Sequence, residues 1–414
     1  MSYAVAAFVA LRREDALVSP GAPDPLGPFK TKLYFNDWKS TFRFLTYTLF
    51  YRTDVQVTIN CGANWIVSRP GKSAGPVAEK YLNSFCEIAG EKHLFSELHT
   101  RDRFAPWSFL QRLTCLVKFL SERSDLALYR RILFGAAHAR FWDDERTLQK
   151  ALSKLDARGL VTFCDQIGTE NHIAQVAVRQ GMKTVTLQHG QYRLLNAEGM
   201  SPDIEAIYNF VSETMLCWGE ATIREFEKVG VSRNRFVPVG VISMDSVKES
   251  NLSPLRVQRS RRNAFGLALS GDNNLENNFE LIEFARELQS ETGMSCFVRI
   301  HPRSNINLYP SLAELAYTTS DTKENFIDLI DIAVMSSTGF FLDCYRLRCP
   351  FVFLDSRFLP EPFRASGVVV RGVNEVLGVL DRYDWDRLDE LIPYNYNDTK
   401  ARAQRINEVL NGPF

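Results

Sequence analysis

From about residue 158 onward the chain alternates short, wholly apolar runs with amphipathic stretches. Leu160–Cys164, Lys183–Leu187, Met215–Trp218 and Phe236–Val239 predict strands, with helices over Ile173–Gln180 and Ala221–Val229. After a polar interval the rhythm resumes with strands over Ala264–Leu269, Cys296–Ile300, Ile332–Met335 and Phe351–Leu354. Helices are expected over Leu275–Thr292 and Phe340–Arg346, a further strand over Val368–Val370 and a last helix over Lys400–Leu410. Strands that are apolar on both faces, with helices between them, indicate a parallel sheet covered on both sides. Two successive doubly wound sheets follow from the pattern.

The first part of the chain is less regular. Val55–Asn60 and Trp65–Ser68 read as short strands, and Pro20, Pro23, Pro25 and Pro28 mark an irregular loop. From Trp107 to Lys154 the pattern turns helical, with Phe109, Leu113, Leu116, Phe119 and Leu120 at three- and four-residue spacings. The apolar run Tyr3–Leu11 reads as a strand, with a targeting segment as the alternative. Arg12 and Arg13 follow it rather than precede it, and it is too short to span a bilayer. The polar interval Lys248–Asn263, with Arg256, Arg259, Arg261 and Arg262, reads as a solvated linker.

At 414 residues the chain exceeds one ordinary core and suits two domains. Lys plus Arg and Asp plus Glu both number 49, so no global electrostatic grip on nucleic acid is expected. The eight cysteines form no C-x-x-C pair, and the six histidines form no H-x-x-x-H pair. Reduced buried thiols in a cytoplasmic protein fit this better than disulfides, and neither a metal centre nor a cofactor is expected. With no uninterrupted apolar stretch of spanning length, the protein is expected to be soluble or peripheral.

In open α/β sheets ligands sit beyond the carboxyl ends of the strands, which directs attention to the loops there. Strand Cys296–Ile300 runs into Arg299-Ile300-His301-Pro302-Arg303. Pro302 restricts the residue before it, so His301 is held rigidly and could donate to a phosphate oxygen; a turn histidine among solvated arginines is the alternative. Strand Ile332–Met335 ends in Ser336-Ser337-Thr338-Gly339 before a helix, either as caps or as a phosphate cradle. Ser270-Gly271-Asp272-Asn273 is a glycine turn opening a helix, compatible with approach of a phosphate or ribose. Upstream, Gln188-His189-Gly190 follows a β-branched strand, reading as polar groups at a cleft or as a satisfied core histidine. Asp165, with Glu170 soon after, is either a base or nucleophile or a helix cap.

These segments together resemble a known family. Asp331 through Ser336-Ser337 to Asp343, followed by Cys349-Pro350 through Asp355, resembles the serine-pair motif of bacterial surface-polysaccharide glycosyltransferases of the GT-B fold. Val298 to Pro302 is similar to their His-Pro motif, and Thr184 to Gly190 to the Gln-His-Gly strand of capsule and O-antigen Kdo transferases. The stretch from Cys217-Trp218-Gly219 to Val239-Gly240 and Ser243-Met244-Asp245 is also typical of that group. CDP-glycerol glycerophosphotransferases share a related pattern. The resemblance covers roughly residues 158–356; residues 1–150 match nothing, which leaves the acceptor unidentified.

The resemblance implies a metal-independent GT-B enzyme with two Rossmann-like domains facing a cleft: residues 1–240 on the acceptor side, 241–390 holding the nucleotide-sugar, and 391–414 a closing helix. It implies nucleotide contacts from Gly271, Arg299, His301, Ser336, Ser337 and Thr338, with Asp165 as catalytic carboxylate assisted by Gln188 and His189. The donor would be CMP-linked. The Asp/Glu-Asp/Glu-Gly element of sialyltransferases is missing, since Asp143-Asp144-Glu145 lacks the glycine, and this favours a Kdo-like sugar. The acceptor would be a glycan or lipid-linked glycan, with at most peripheral contact at the inner membrane. Competing readings are a polyol-phosphate transferase, a hydrolysing sugar-nucleotide epimerase, for which no carboxylate-rich pattern is evident, and an inactive glycan-binding module.

Overall fold

Each apolar run downstream of residue 158 becomes a strand, and the amphipathic stretches between them become covering helices. The computed structural model describes residues 24, 26, 28, 29, 38–69, 75–90, 94–122, 127–166, 168–190, 210–228, 230–242, 263–271, 275–301, 304–315, 317–319, 322–336, 338–356, 359, 364, 367–386, 388 and 399–412. The expected strand Tyr3–Leu11, the prolines Pro20, Pro23 and Pro25, and the linker residues 248–262 lie outside them. The chain divides into two compact units. Unit 1 comprises Met1–Tyr192, Pro202–Met244 and Thr399–Phe414; unit 2 comprises Arg193–Ser201 and Asp245–Asp398.

Unit 1 opens with α1 (Trp38–Phe50), β1 (Tyr51–Thr58), β2 (Trp65–Arg69), α2 (Gly75–Ala89), β3 (Phe95–Phe104), α3 (Ser108–Glu122) and α4 (Leu128–Leu152). It continues with β4 (Gly159–Thr162), α5 (Gly168–Arg179), β5 (Lys183–Leu187), β6 (Thr214–Cys217), α6 (Glu220–Glu227) and β7 (Phe236–Pro238). The strands form one sheet in the order β1-β3-β2-β4-β5-β6-β7. All neighbours run parallel except β1, which is antiparallel to β3. Ile66, Leu98 and Leu160 on the sheet pack with Leu148, Leu152, Ile173 and Val176 from α4 and α5. Fully burying each such side chain contributes roughly 1.5–3 kcal/mol, so this face dominates the unit's stability.

Beyond this core, β3 outruns its parallel neighbour. Phe95–His99 pair with β2, whereas Thr100–Phe104 pair only with Tyr51–Val55 of β1. The result is a two-stranded ribbon projecting past the carboxyl end of β2. The buried Arg140 and Asp144 fasten it to α4. Arg140 donates to Asp144 at 3.1 Å and to Asp102 at 2.5 Å, and Asp144 accepts from the Thr53 amide at 2.9 Å. Arg112 of α3 donates to Asp143 and to the Thr48 carbonyl at 2.7 Å. The second strand of the ribbon was not predicted, because its outer half is written in charged, exposed residues that pairing rather than hydrophobic burial holds in place.

Unit 2 contains β8 (Ala264–Ala268), α7 (Leu275–Thr292), β9 (Ser295–Arg299), β10 (Tyr317–Thr319), α8 (Lys323–Asp328), β11 (Ile332–Met335), α9 (Phe340–Arg346), β12 (Phe351–Leu354), β13 (Val369–Val370) and α10 (Val373–Asp381). Every strand pair is parallel, and the order is β10-β9-β8-β11-β12-β13. A Cβ on Gly266 would lie 2.6 Å from Ile330 and 2.9 Å from Phe326, so only glycine lets the segment around α8 seat on the central strand. The chain then returns to unit 1 through α11 (Thr399–Asn411), whose Ile406 and Leu410 are fully buried. Arg158 donates to the Leu410 carbonyl at 2.5 Å and Lys183 to the Val409 carbonyl at 2.7 Å, satisfying carbonyls that the helix end leaves open.

Candidate functional site

In unit 2 the strand order reverses between β8 and β11, the position at which sheets of this order receive ligands. Ala268 is in register with Arg299 on one side and Met335 on the other, so the loops leaving β9, β8 and β11 stand side by side. Gly271, Arg299, His301, Ser336 and Thr338 all belong to those three exits. Ser337 lies outside the described residues, as do Pro302 and Arg303.

The β8 exit is held by the first turn of α7. Ser270 donates its amide to the Asn278 carboxamide oxygen at 2.9 Å, and Asn278 returns a bond to the Ser270 carbonyl at 3.0 Å. Asn278 also donates to the Tyr309 hydroxyl at 2.9 Å. Asn277 donates to the Ser336 hydroxyl and accepts from Ser356 at 3.3 Å, tying the exits of β11 and β12 to α7. Ser336 is therefore fully buried, with its hydroxyl engaged by protein. Thr338 accepts from the Phe340 amide at 3.4 Å, opening α9. The Arg299 guanidinium sits 6.0 Å and 5.7 Å from the rings of Phe326 and Phe340. His301 is exposed, and its carbonyl closes a turn by accepting from Ser304 at 2.9 Å. Asn277, Asn278 and Tyr309 were missed by the sequence reading. Two consecutive asparagines in the first turn of a helix, where they compete poorly as helix formers, were the available signal.

In unit 1, β4 and β5 are adjacent and bring Asp165 beside Gln188 and His189. Gln188 is buried and fully used. Its carboxamide donates to the Gly190 carbonyl at 2.8 Å and accepts from the Trp218 amide at 2.6 Å and the Thr222 hydroxyl at 2.9 Å. It is thereby a strut between the exits of β5 and β6. His189 is half-buried, its ring 4.6 Å from Phe163, which in turn meets Tyr81 at 5.7 Å. Burial pushes its imidazole down to about 4, leaving it neutral at physiological pH.

Asp165 is completely buried. One carboxylate oxygen accepts from the Val211 amide at 3.1 Å and the Ser212 amide at 2.5 Å; the other, Oδ1, has no hydrogen-bond partner. Burial raises its pKa against those amides and the nearby Arg235. Glu170, in the first turn of α5, accepts from the Phe163 and Cys164 amides at 2.9 and 3.0 Å, yet burial pushes it up to about 8. Glu170 thus holds backbone at the β4 exit and Asp165 the segment leading into β6, and both carboxyl groups sit where charge is costly.

Among the described residues no three His, Cys, Asp or Glu side chains gather as a set able to hold a metal ion. No helix among them is long and apolar enough to cross a membrane.

No family model matches the chain, and no curated protein sequence matches it. Solved structures do. A UDP-N-acetylglucosamine 2-epimerase from Rickettsia bellii aligns over 84% of this chain and 96% of its own at 13% identity, with a TM-score of 0.50. The Neisseria meningitidis UDP-GlcNAc 2-epimerase bound to UDP-GlcNAc aligns over 84% and 99% at 12% identity and a TM-score of 0.49. The wall teichoic acid polymerase TagF aligns over 84% and 89% at 10% identity and 0.44. At such identities a likeness speaks for fold alone. It bears out the expected α/β architecture of two Rossmann-like, parallel-sheet domains of the GT-B class.

Proposed function

We propose that this chain is a glycosyltransferase that accepts a nucleotide-activated sugar at the strand exits of unit 2 and transfers it to a bacterial surface glycan. The observation that carries the reading is the strand order of unit 2, with His301, Gly271, Ser336 and Thr338 on the three exits flanking its reversal point. A phosphate there meets the imidazole of His301 and the exits whose residues Ser270 and Ser336 are held by Asn278 and Asn277. The α9 helix has only seven residues, so the Thr338 hydroxyl outweighs any helix dipole. Arg299, placed over two phenyl rings, adds positive charge beside the exits.

The donor in this reading is CMP-linked and Kdo-like, which carries one phosphate and needs no dedicated cation. In unit 1 the unpartnered Oδ1 of Asp165 supplies the carboxylate that takes the acceptor proton or attacks the sugar carbon. His189 serves as a neutral hydrogen-bonding neighbour, and Gln188 holds the turn that carries it.

The test is a calorimetric titration of CMP-, CDP-, UDP- and GDP-linked compounds against the wild type and His301→Ala. CMP compounds should bind, and His301→Ala should weaken them by about 1–3 kcal/mol, the cost of losing a charge-assisted partner. Turnover should survive excess chelator. Absence of binding to every nucleotide sinks the reading. Cleavage of a phosphate ester to glycerol phosphate, or release of an epimerised free sugar, would transfer the assignment to a different enzyme class.

A further inference from the structure

The ribbon of β1 and β3 has two unlike faces. Thr53 and Asp102, opposite each other, turn toward α4, where Asp144 and Arg140 hold them. The other face carries the rungs Arg52–Arg103, Asp54–Arg101 and Gln56–His99, and it is polar along its whole paired length. Charge on this face is matched everywhere but at one rung. Arg101 donates to Asp54 at 3.1 Å. Glu97 accepts from Arg69 at 2.8 Å and meets His99 at 3.0 Å. Arg52 and Arg103 stand directly opposite each other, and neither side chain has an ion pair or hydrogen bond among the described residues. The Arg52 Nε is buried without a partner. A buried donor left bare and two like charges in register both destabilise the ribbon. One anion bridging the two guanidinium groups removes both penalties.

The rung's place in the sheet narrows the kind of anion. His99 is the last β3 residue to pair with β2, and Arg103 lies four residues further on, roughly 13 Å beyond the carboxyl end of β2. The β4 strand, with Asp165 at its exit, is two strands from β3 in the same sheet, roughly 10 Å across. A polymer whose end lies at Asp165 can therefore be held at the rung a short way back along its chain. A face of arginine, aspartate, glutamine and histidine offers nothing to an acyl boundary, so a hydrated polymer fits it and a bilayer does not.

We propose that the Arg52–Arg103 rung binds a carboxylate or phosphate of an acidic acceptor glycan, set back from the end that Asp165 serves. Each guanidinium presents a planar fork of N–H donors that matches either anion, and the neutral Asp54–Arg101 and Gln56–His99 rungs leave the adjoining face open to sugar hydroxyls. The inference rests on the glycosyltransferase reading for the identity of the polymer. Its binding step needs no nucleotide, so the two can be tested apart.

The experiment is calorimetric titration of the full chain with two oligosaccharides of equal length, an oligogalacturonate with a carboxylate on each unit and an uncharged malto-oligosaccharide. Melting curves are recorded with and without each. The oligogalacturonate should bind and raise the melting temperature, and the neutral sugar should do neither. Arg103→Gln should weaken binding by roughly tenfold, the loss of one charge-assisted partner, and Arg52→Gln/Arg103→Gln should abolish it. Without oligosaccharide, Arg103→Gln should melt at or above the wild type because it relieves the like-charge rung, so its weaker binding is not unfolding. If the oligogalacturonate fails to bind while CMP compounds still bind, the rung is refuted and the donor reading stands; the opposite pair of results refutes the donor reading and keeps the rung. Equal binding of the neutral sugar, or variants that bind like the wild type, would overturn the proposal. So would flotation with phosphatidylglycerol vesicles that the double variant loses, which would assign the rung to a lipid headgroup.

Discussion

Replacing Gln188 by alanine tests whether the β5 exit is built as a strut. The substitution removes three hydrogen bonds at once, to Gly190, Trp218 and Thr222. Gly190 is half-exposed, so water replaces the bond to its carbonyl at little cost. The Thr222 hydroxyl can rotate. The Trp218 amide cannot, and Trp218 is buried, so its N–H is left bare at about 1–3 kcal/mol. Adding lost packing of the removed atoms gives about 2–4 kcal/mol in total. For a unit of this size that lowers the melting temperature by about 5–15 °C. Differential scanning calorimetry of the ligand-free protein reads this directly. Thr222→Val removes only one of the three partners and should cost about 0.5–1.5 kcal/mol, and the double variant should fall short of the sum. A Gln188→Ala protein that melts within about 2 °C of the wild type would refute the strut and return Gln188 to a purely chemical role.

Two further outcomes follow from the buried carboxyls. Asp165→Asn keeps an oxygen for the Val211 and Ser212 amides while removing a costly buried charge, so stability should hold or rise. Transfer should nevertheless drop by at least about 100-fold; unaltered turnover would reduce Asp165 to a clamp. Glu170 has a folded pKa of about 8 against an ordinary 4.5, so the folded state binds the extra proton between these values. Its contribution is complete below the lower value and is lost as pH rises through the higher one. Urea titrations of Glu170→Gln should accordingly show the variant gaining on the wild type as pH is raised from about 5 to about 8, and a constant difference would contradict the raised pKa.

The second half of the molecule was largely legible because its strands are buried on both faces. Ile332–Met335, Phe351–Leu354 and Lys183–Leu187 appear with the bounds their apolar runs suggested. The first half hid its elements for a physical reason. In β3, Phe95-Ser-Glu-Leu-His-Thr-Arg-Asp-Arg-Phe104, the outer half is exposed and is held by pairing with β1 and by Arg140, from a helix some forty residues downstream, at Asp102, which no local pattern reports. The same holds at the candidate site. His301 and Ser336 stood out as residue types at strand ends, whereas the asparagines that shape those turns gained meaning only once α7 was folded against β8. The Ser336 hydroxyl, picked out at its strand end, accepts from Asn277, a partner that only the fold reveals.

The return of α11 to unit 1 makes the second unit an insertion within the first. Unit 1 begins near the start of the chain and is completed only by Thr399–Phe414, after all of Asp245–Asp398. On a ribosome adding about 5–20 residues per second, the sheet of unit 1 waits roughly ten to thirty seconds for its final helix while unit 2 is made. During that interval the groove destined for Ile406 and Leu410 is open, and the ammonium of Lys183 and the guanidinium of Arg158 have no helix end to cap. Unit 2 has all its strands in hand by then and can fold first. A nascent chain stalled before Thr399 is therefore the species on which a chaperone has most to do, and a nonsense mutation within Thr399–Phe414 strikes the unit whose sheet was made first.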